Sequence, residues 1–507
     1  MEGCPDQPGS KPRANRDHHL VVIVGAGFAG IGLALRLKAE GLKDVVILER
    51  EDDLGGTWYL NTYPGCQCDV PSLLYCLSSA PKTDWTRTFA PQPEIEQYLS
   101  SVADAAGVRE LIRFGTEVTG AAWDASQSRW RVQTTSGDMT GDVMVLATGP
   151  LNDPVIAPIP GVERFAGTLF HSARWRHDHE LAGERVAVIG TGASAIQFVP
   201  EIQPSVAHLT VFQRTPPWVL PRPDRAFRPW ESWLFARKPL AARLARARIY
   251  WSRELMVLVF ARFPRLASIA SAPGARHLED QVADVDLRRK LTPDYLLGCK
   301  RVLLSNDYFP ALCQPNVALV TEPISEITAD AVVTSDGTAH PCDTIIFATG
   351  FSTVDQPVAH LVRGADGRTM AEHWAAGSHA YLGSTVARFP NFFLITGPNT
   401  GLGHSSMIFM MESQFNYIVD ALKTMSARNL SSFEVGEDSV EAFNQEMQSK
   451  MRRTVWSSGC SSWYLDASGH NTTLWPDFTW QFRQRTRRFD ADRYRFGRAV
   501  GPPIPTR

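Results

Sequence analysis

No C-x-x-C pair occurs among the eight cysteines of this 507-residue chain, and its net charge is only −2. The missing pair argues against both a zinc site and a redox dithiol. Cys66 and Cys68, the closest two, would share one face of an extended segment and read as free thiols of a reducing compartment. A chain this close to neutrality offers no basic field for nucleic-acid phosphates. Long apolar runs are absent too. The longest, Leu255 to Ala261, is far short of a membrane span and reads as a buried or surface-lying helix. Residues 1–18 are polar and proline-bearing, without the apolar run of a signal peptide, so a loose tail on a cytoplasmic protein is expected. No His/Cys/Asp/Glu cluster has metal-ligand spacing, so no metal is expected.

What remains, 44% apolar and 21% charged residues, suits a soluble enzyme too long for one core. Its main content is two glycine-rich turns. The first runs Gly25-Ala26-Gly27-Phe28-Ala29-Gly30 after the apolar run Leu20 to Val24, and the following run Val45 to Leu48 ends on Glu49. The second runs Gly190-Thr191-Gly192-Ala193-Ser194-Ala195 and, at the same offset from its first glycine, reaches Arg214 within Gln213-Arg214-Thr215. Such glycines let the backbone approach a pyrophosphate at a helix N-terminus, where exposed N–H groups attract anions. A carboxylate at the end of the second strand accepts hydrogen bonds from ribose hydroxyls, whereas a guanidinium there suits a 2′-phosphate. The two cradles are therefore expected to hold different nucleotides, FAD first and NADPH second.

The punctuation between these turns predicts an α/β fold of two Rossmann-like dinucleotide-binding domains with a helical insertion. After the tail, residues 19–155 form the first part of the FAD-binding domain and 156–221 the first part of the NADP-binding domain. Residues 222–300 lose the glycine-and-strand pattern and form the helical insertion. Residues 301–382 complete the NADP-binding domain, and 383–507 return to the FAD-binding domain with a C-terminal tail. Two apolar strands end alike, on Ala147-Thr148-Gly149 and Ala348-Thr349-Gly350. Small residues there suit a chain passing close to a cofactor or crossing to a neighbouring domain. Pro154, Pro158 and Pro160 mark the hinge. Arg483, Arg485, Arg487 and Arg488 read as a solvated or partner-facing extension.

Further motifs carry a family resemblance. Gly55-Gly56-Thr57-Trp58, then Tyr63-Pro64-Gly65, then Asp69 resembles a pattern of Baeyer–Villiger monooxygenases. Phe165-Ala166-Gly167, His171 and Trp175 resemble that family's fingerprint between its two nucleotide motifs. The similarity runs from about Leu20 to Trp480. Two positions depart from the pattern. Arg176 follows Trp175 where proline or aspartate is usual, and Thr62 stands where arginine is frequent. The departures leave a class B flavin monooxygenase intact and fit a heteroatom (S or N) oxygenase as well.

The resemblance implies NADPH- and O₂-dependent insertion of oxygen beside a ketone carbonyl, through a C4a-peroxyflavin, to give an ester or lactone. It places Arg301 at the flavin, Lys300 nearer the nicotinamide nucleotide, and Asp69 beside the arginine as its fixing carboxylate. Without the family, Lys300-Arg301 reads equally as a solvated strand edge. FAD contacts are implied for Gly25, Gly27, Gly30, Glu49, Gly56, Thr57, Trp58, Asp69, Tyr75 and Val118. NADPH contacts are implied for Gly190, Thr191, Gly192, Ser194, Gln213, Arg214, Thr215 and Lys300, with Trp463 closing over the nucleotide. Core packing competes for Trp463. His171 and Trp175, four apart, would share one face of a helix. The resemblance gives them a role in coupling domain movement to catalysis, while physics alone gives a packed, hydrogen-bonded histidine.

Two other classes stand beside the ketone oxygenase: the heteroatom oxygenase, and a nucleotide-binding protein without oxygenase activity. A disulfide reductase, also built from paired nucleotide folds, is opposed by the missing C-x-x-C. Met407, Phe409, Met410 and Met411 suit an apolar, adaptable pocket wall or an ordinary core.

Overall fold

The computed structural model describes residues 17–466 and 468–498. The fold is α/β, with two Rossmann-like sheets and a helical excursion. In the first sheet, His18–Val24 lies at the centre, paired in parallel with Val45–Leu48 on one side and Met139–Leu146 on the other. Val21, Val22 and Ile23 are fully buried, as parallel strands covered on both faces must be. Ile112–Arg113 closes one edge. Beyond Met139–Leu146 the sheet continues antiparallel through Arg129–Thr134 and Val118–Asp124. Phe392–Leu394 also joins Met139–Leu146, in parallel.

The second sheet is wholly parallel, in the order Val317–Val320, His208–Phe212, Arg185–Ile189, Thr344–Phe347, Thr168–His171. The chain crosses between sheets twice, and the two crossings run side by side. Val155 N–H donates to the Gly350 carbonyl (2.9 Å) and Ser352 N–H to that of Asp153 (2.9 Å). The proline-marked hinge is thus a paired ribbon.

The return to the first sheet comes earlier than the expected residue 383. Val362–Arg363 already pairs with Val118–Asp124. A two-residue edge strand has no periodicity to read, and this explains the displaced boundary.

Between Val219–Leu220 and Leu303–Leu304, which pair with each other, lie the helices of the excursion, Pro229–Arg237 and Pro239–Glu254 among them. On the first sheet, helix Phe28–Ala39 packs on the long helix Met407–Ala427. A methyl group at Gly32 would lie 2.6 Å from the Phe415 ring, so the contact needs glycine.

Of the arginines after Trp480, Arg487 and Arg488 are exposed as expected, but Arg483 and Arg485 are not part of a solvated extension. Thr479–Arg485 is a helix with Thr479 and Phe482 buried. Arg483 lies 3.6 Å from the Phe409 ring centroid, and Arg485 makes two 2.9 Å bonds to Glu446. Long arginine stems cover apolar surface while their heads find carboxylates on other helices, which a charge run does not reveal. Residues 1–16 and 499–507 lie outside the described residues.

Candidate functional site

Each glycine turn does what its spacing requires. Gly25 has φ +104°, and a Cβ there would lie 2.8 Å from the Ala147 carbonyl oxygen; Gly190 has φ +111°, with the Ala348 carbonyl oxygen at 2.5 Å. Both turns thus press against the small-residue strand end of their own sheet. At Gly30 a Cβ would meet the Gly25 oxygen at 2.0 Å, which holds the helix tight on its turn. Gly27 faces Gly56 with only backbone between them. Gly56 caps the short helix Thr57–Leu60 and leaves Thr57 exposed at the rim. This is a cradle without side-chain obstruction, as a pyrophosphate needs.

Glu49 is buried at the end of its strand. Its carboxylate accepts from Ala26 N–H (2.7 Å) and Glu51 N–H (3.0 Å). Burial raises its pKa, opposed by those two backbone donors. Trp58 donates its indole N–H to the Tyr75 hydroxyl (3.1 Å), and the Tyr75 ring packs edge-on to both Trp58 and Phe28. Val118 is buried with Val24 and Leu48.

The Tyr63-Pro64-Gly65 motif docks one cradle on the other. Tyr63 donates to the Gln197 side chain (3.0 Å), which in turn donates to the Gln67 carbonyl (3.0 Å). Gln197 sits on helix Ala195–Ile202, the helix opened by the second glycine turn just after Ser194. Gly65 has φ +75°, and a Cβ there would lie 2.8 Å from the Gln197 carbonyl oxygen, so only glycine allows this approach.

At the second cradle a cavity of about 690 Å³ is lined by Thr215, Trp218, Tyr295, Lys300 and Ser458–Ser461. Arg214 is exposed, and its charge, after burial, is the next cause holding the Lys300 pKa low. Two cations and a threonine hydroxyl thus converge, and Thr191 donates to the Thr215 carbonyl (3.5 Å). This set fits a phosphomonoester. Around Gly192 a Cβ would meet nothing within 4 Å, so the turn is open. Gln213 departs from expectation. Its side chain is buried and donates to the Lys290 carbonyl (2.8 Å), tying the strand end to the helical excursion.

Arg301 and Asp69 meet deep in the molecule. Arg301 Nε donates to Asp69 Oδ2 at 3.1 Å, and Nη2 donates to the same oxygen. Nη1 has only a 3.5 Å contact with the Leu402 carbonyl. The two side chains remain 34% and 29% accessible, so they line a cleft and are not sealed in the core. The neighbouring carboxylate raises the Arg301 pKa against burial. Burial pushes Asp69 the other way, but Arg301, with Arg222 and Arg253 behind it, prevails and holds its carboxyl below the usual range.

Three residues of this centre escaped the sequence reading. Arg222 is buried and donates to the Cys68 carbonyl (2.8 Å), while its own backbone exchanges two hydrogen bonds with the Asn306 side chain. It therefore clamps the Asp69 loop to the strand that follows Arg301. Arg253, from helix Pro239–Glu254, contributes charge. The buried Tyr464 lies against Arg301, and burial pushes its phenol up to about 12. Trp463 is 41% exposed and its ring lies tilted against Tyr464, centroids 4.4 Å apart, so the core-packing alternative does not hold for it. Its segment is tethered by a disulfide, Cys299–Cys460, immediately before Lys300. Cys66, Cys68, Cys76, Cys313 and Cys342 are free.

His171 and Trp175 do not share a helix face. His171 ends strand Thr168–His171, which pairs with Thr344–Phe347, and a single 3₁₀ turn intervenes before Trp175. Trp175 packs on Phe170 and Phe198, whereas His171 faces Phe351 at the paired crossing. Strand pairing overrides a four-residue spacing that helix and strand could both present. His171 Nδ1 accepts from Ala173 N–H (3.1 Å), and burial, aided by Arg174, lowers its pKa to about 4.

Two Rossmann-like modules converging on an arginine–aspartate pair define an oxidoreductase with two dinucleotide cradles. The pyridine nucleotide-disulphide oxidoreductase family model matches residues 22–237. A Baeyer-Villiger monooxygenase of Streptomyces coelicolor is 50% identical, the match covering 94% of this chain and 92% of that protein. One from Pseudomonas aeruginosa is 48% identical, covering 95% and 92%. Among solved structures, cyclohexanone monooxygenase from Rhodococcus sp. Phi1 bound to NADP+ superposes with TM-score 0.85 at 29% identity, covering 95% of this chain and all of that one. OTEMO in complex with FAD and NADP gives TM-score 0.85 at 27% identity, covering 96% and 100%. The chain belongs to the Baeyer–Villiger monooxygenase family.

Proposed function

We propose that the first cradle binds FAD, the second binds NADPH, and the enzyme uses O₂ to insert one oxygen beside the carbonyl of a small-molecule ketone, giving an ester or lactone. The observation that carries this is the placement of Arg301. Asp69 reaches it from the loop docked between the cradles, and Lys300, its chain neighbour, lines the cavity with Thr215 and feels the charge of Arg214. Bound FAD would supply oxygen activation and NADPH the two electrons.

The protein's part is electrostatic. Arg301 stays protonated at every working pH, and Asp69 holds Nε and Nη2 so that the plane of the guanidinium is fixed. Nη1 then serves as a donor aimed where negative charge develops on oxygen. Glu49 would hold the FAD ribose. Arg214, Thr215 and Lys300 would hold the NADPH 2′-phosphate. Trp463 and Tyr464 would form the cover that keeps water from the reacting atoms.

We assign the FAD-binding domain to residues 19–155 and from 362 onward, and the NADPH-binding domain to 156–221 and 301–361, with 222–300 as the helical excursion. The paired crossings at Asp153–Val155 and Gly350–Ser352 support this division. We also place the enzyme in the cytoplasm, where NADPH is available. Among the described residues five cysteines are unpaired, in keeping with that compartment, while the Cys299–Cys460 disulfide is uncommon there.

The test is product analysis with NADPH, O₂ and a panel of cyclic, linear and aryl ketones beside aryl sulfides. Esters or lactones formed with matching NADPH consumption are expected. Sulfoxide formation with no ester from any ketone would replace this reading with a heteroatom oxygenase.

A further inference from the structure

The helical excursion presents its apolar residues outward. Among the described residues sixteen large hydrophobic side chains are exposed, and nine of them fall between residues 229 and 270. In helix Pro239–Glu254 the arrangement is two-sided. Leu240 (68% exposed), Leu244 (63%), Trp251 (57%) and, at the C-cap, Leu255 (61%) recur at spacings of four, seven and four, which is one stripe of a helix. The opposite face is taken up inside the protein. Arg246 donates to the Leu73 and Cys76 carbonyls (3.0 and 3.1 Å), and Tyr250 stacks on Phe409 with centroids 4.9 Å apart. The outward stripe is therefore not required for packing within this chain.

The preceding helix, Pro229–Arg237, extends the surface with Trp230 and Trp233, both more than half exposed, and Arg237 lies over the Trp233 ring. Exposed Arg243 and Arg248 flank the leucine–tryptophan stripe. Between residues 229 and 270 there are eight Lys and Arg against two Glu; Arg246 and Arg253 turn inward and Arg262 pairs with Asp477, which leaves Arg237, Lys238, Arg243, Arg248 and Arg265 facing out. Neither acid offsets the field outside. Glu231 is held by Arg225, and Glu254 is buried against Thr479.

We propose that this face docks on an anionic phospholipid bilayer, with Trp230, Trp233, Leu240, Leu244, Trp251 and Leu255 entering the interface and Arg237, Lys238, Arg243 and Arg248 meeting headgroup phosphates. Aromatic and aliphatic side chains rimmed by arginine are the composition of an interfacial helix. Charge selects this occupant over a second copy of the chain. A two-fold contact would set the same cations against themselves, whereas an anionic leaflet complements them. Among the described residues no single helix is long and apolar enough to cross a membrane, and the one helix pair that passes on length and composition together, Pro239–Arg262 with Pro264–Gln281, is bent by 109°; the contact proposed is a peripheral one. The inner face of the same helix carries Arg253 toward Asp69. Docking would thus bring the Arg301 cleft near a phase in which apolar ketones concentrate.

The experiment is sedimentation of the full-length, flavin-loaded protein with vesicles of phosphatidylcholine alone or mixed equally with phosphatidylglycerol. Sedimentation with the anionic vesicles only, reversed by high salt, is expected. Arg243→Glu with Arg248→Glu should weaken it by roughly fivefold per removed cation. Leu244→Glu with Trp251→Glu should abolish it. Because these side chains point outward, both pairs should keep bound flavin and wild-type turnover of a water-soluble ketone. Protein left in the supernatant with both vesicle types would overturn the proposal, as would equal binding to neutral vesicles. So would a dimer in vesicle-free solution that Leu244→Glu with Trp251→Glu converts to monomer, since the face would then belong to a second copy.

Discussion

Arg301 Nε lies 3.1 Å from Asp69 Oδ2 although 232 residues separate them. The contact joins a loop of the first nucleotide module to the segment that leads out of the helical excursion. Neither group is on a regular element, so its position depends on Arg222 bonding the Cys68 carbonyl and on Asn306 bonding Arg222.

Arg301→Ala should lower ester formation by at least about 100-fold, the scale of losing one fixed donor at developing charge. NADPH should still reduce the flavin, and the electrons should leave as hydrogen peroxide. Product chromatography with a peroxide assay separates the two outcomes. Normal ester yield in this variant would remove Arg301 from the chemistry.

Arg214→Ala should raise KM for NADPH by roughly 10- to 100-fold, as expected on losing a charge-assisted hydrogen bond to phosphate. KM for NADH should change little. Steady-state kinetics with both donors decides this, and equal effects would remove the 2′-phosphate assignment.

The low pKa of His171, about 4 against an ordinary 6.5, makes a pH prediction. The unfolded chain binds the proton first as pH falls, so stability is full above pH 6.5 and declines between 6.5 and about 4. The fall from 6.5 to about 4 corresponds to roughly 3 kcal/mol. His171→Gln should flatten this part of a melting-temperature profile measured against pH. An unchanged acid-side decline would place its cause in another group.

Cys460→Ser should free the segment that carries Trp463 and Tyr464. The expected result is a several-fold higher KM for NADPH with flavin content unchanged, read from kinetics and visible absorbance. Loss of flavin would instead mean that the tether supports the first cradle.

Much of this architecture was legible because its signals are local. Leu20 to Val24 is an apolar run stopped by a glycine turn and Val45 to Leu48 an apolar run ending on Glu49, and the structure gives strands at both. Asp69 and Arg301 were found through family resemblance, since no spacing links positions so far apart. Arg222, Arg253 and Tyr464 were missed for the same physical reason. An inward arginine, on a helix like Arg253 or in a loop like Arg222, has the same sequence appearance as a solvated one, and only tertiary packing orients it. Gln213 shows the converse. It follows the expected strand, yet the helical excursion captures its amide.

The most direct test of the account is an anaerobic NADPH titration of the purified protein followed by visible absorbance. The isolated protein should be yellow, about one equivalent of NADPH should bleach it, and readmitting O₂ should restore the colour. A colourless protein that cannot be reconstituted with FAD, or a bound flavin that NADPH does not reduce, would contradict the assignment of unlike nucleotides to the two cradles.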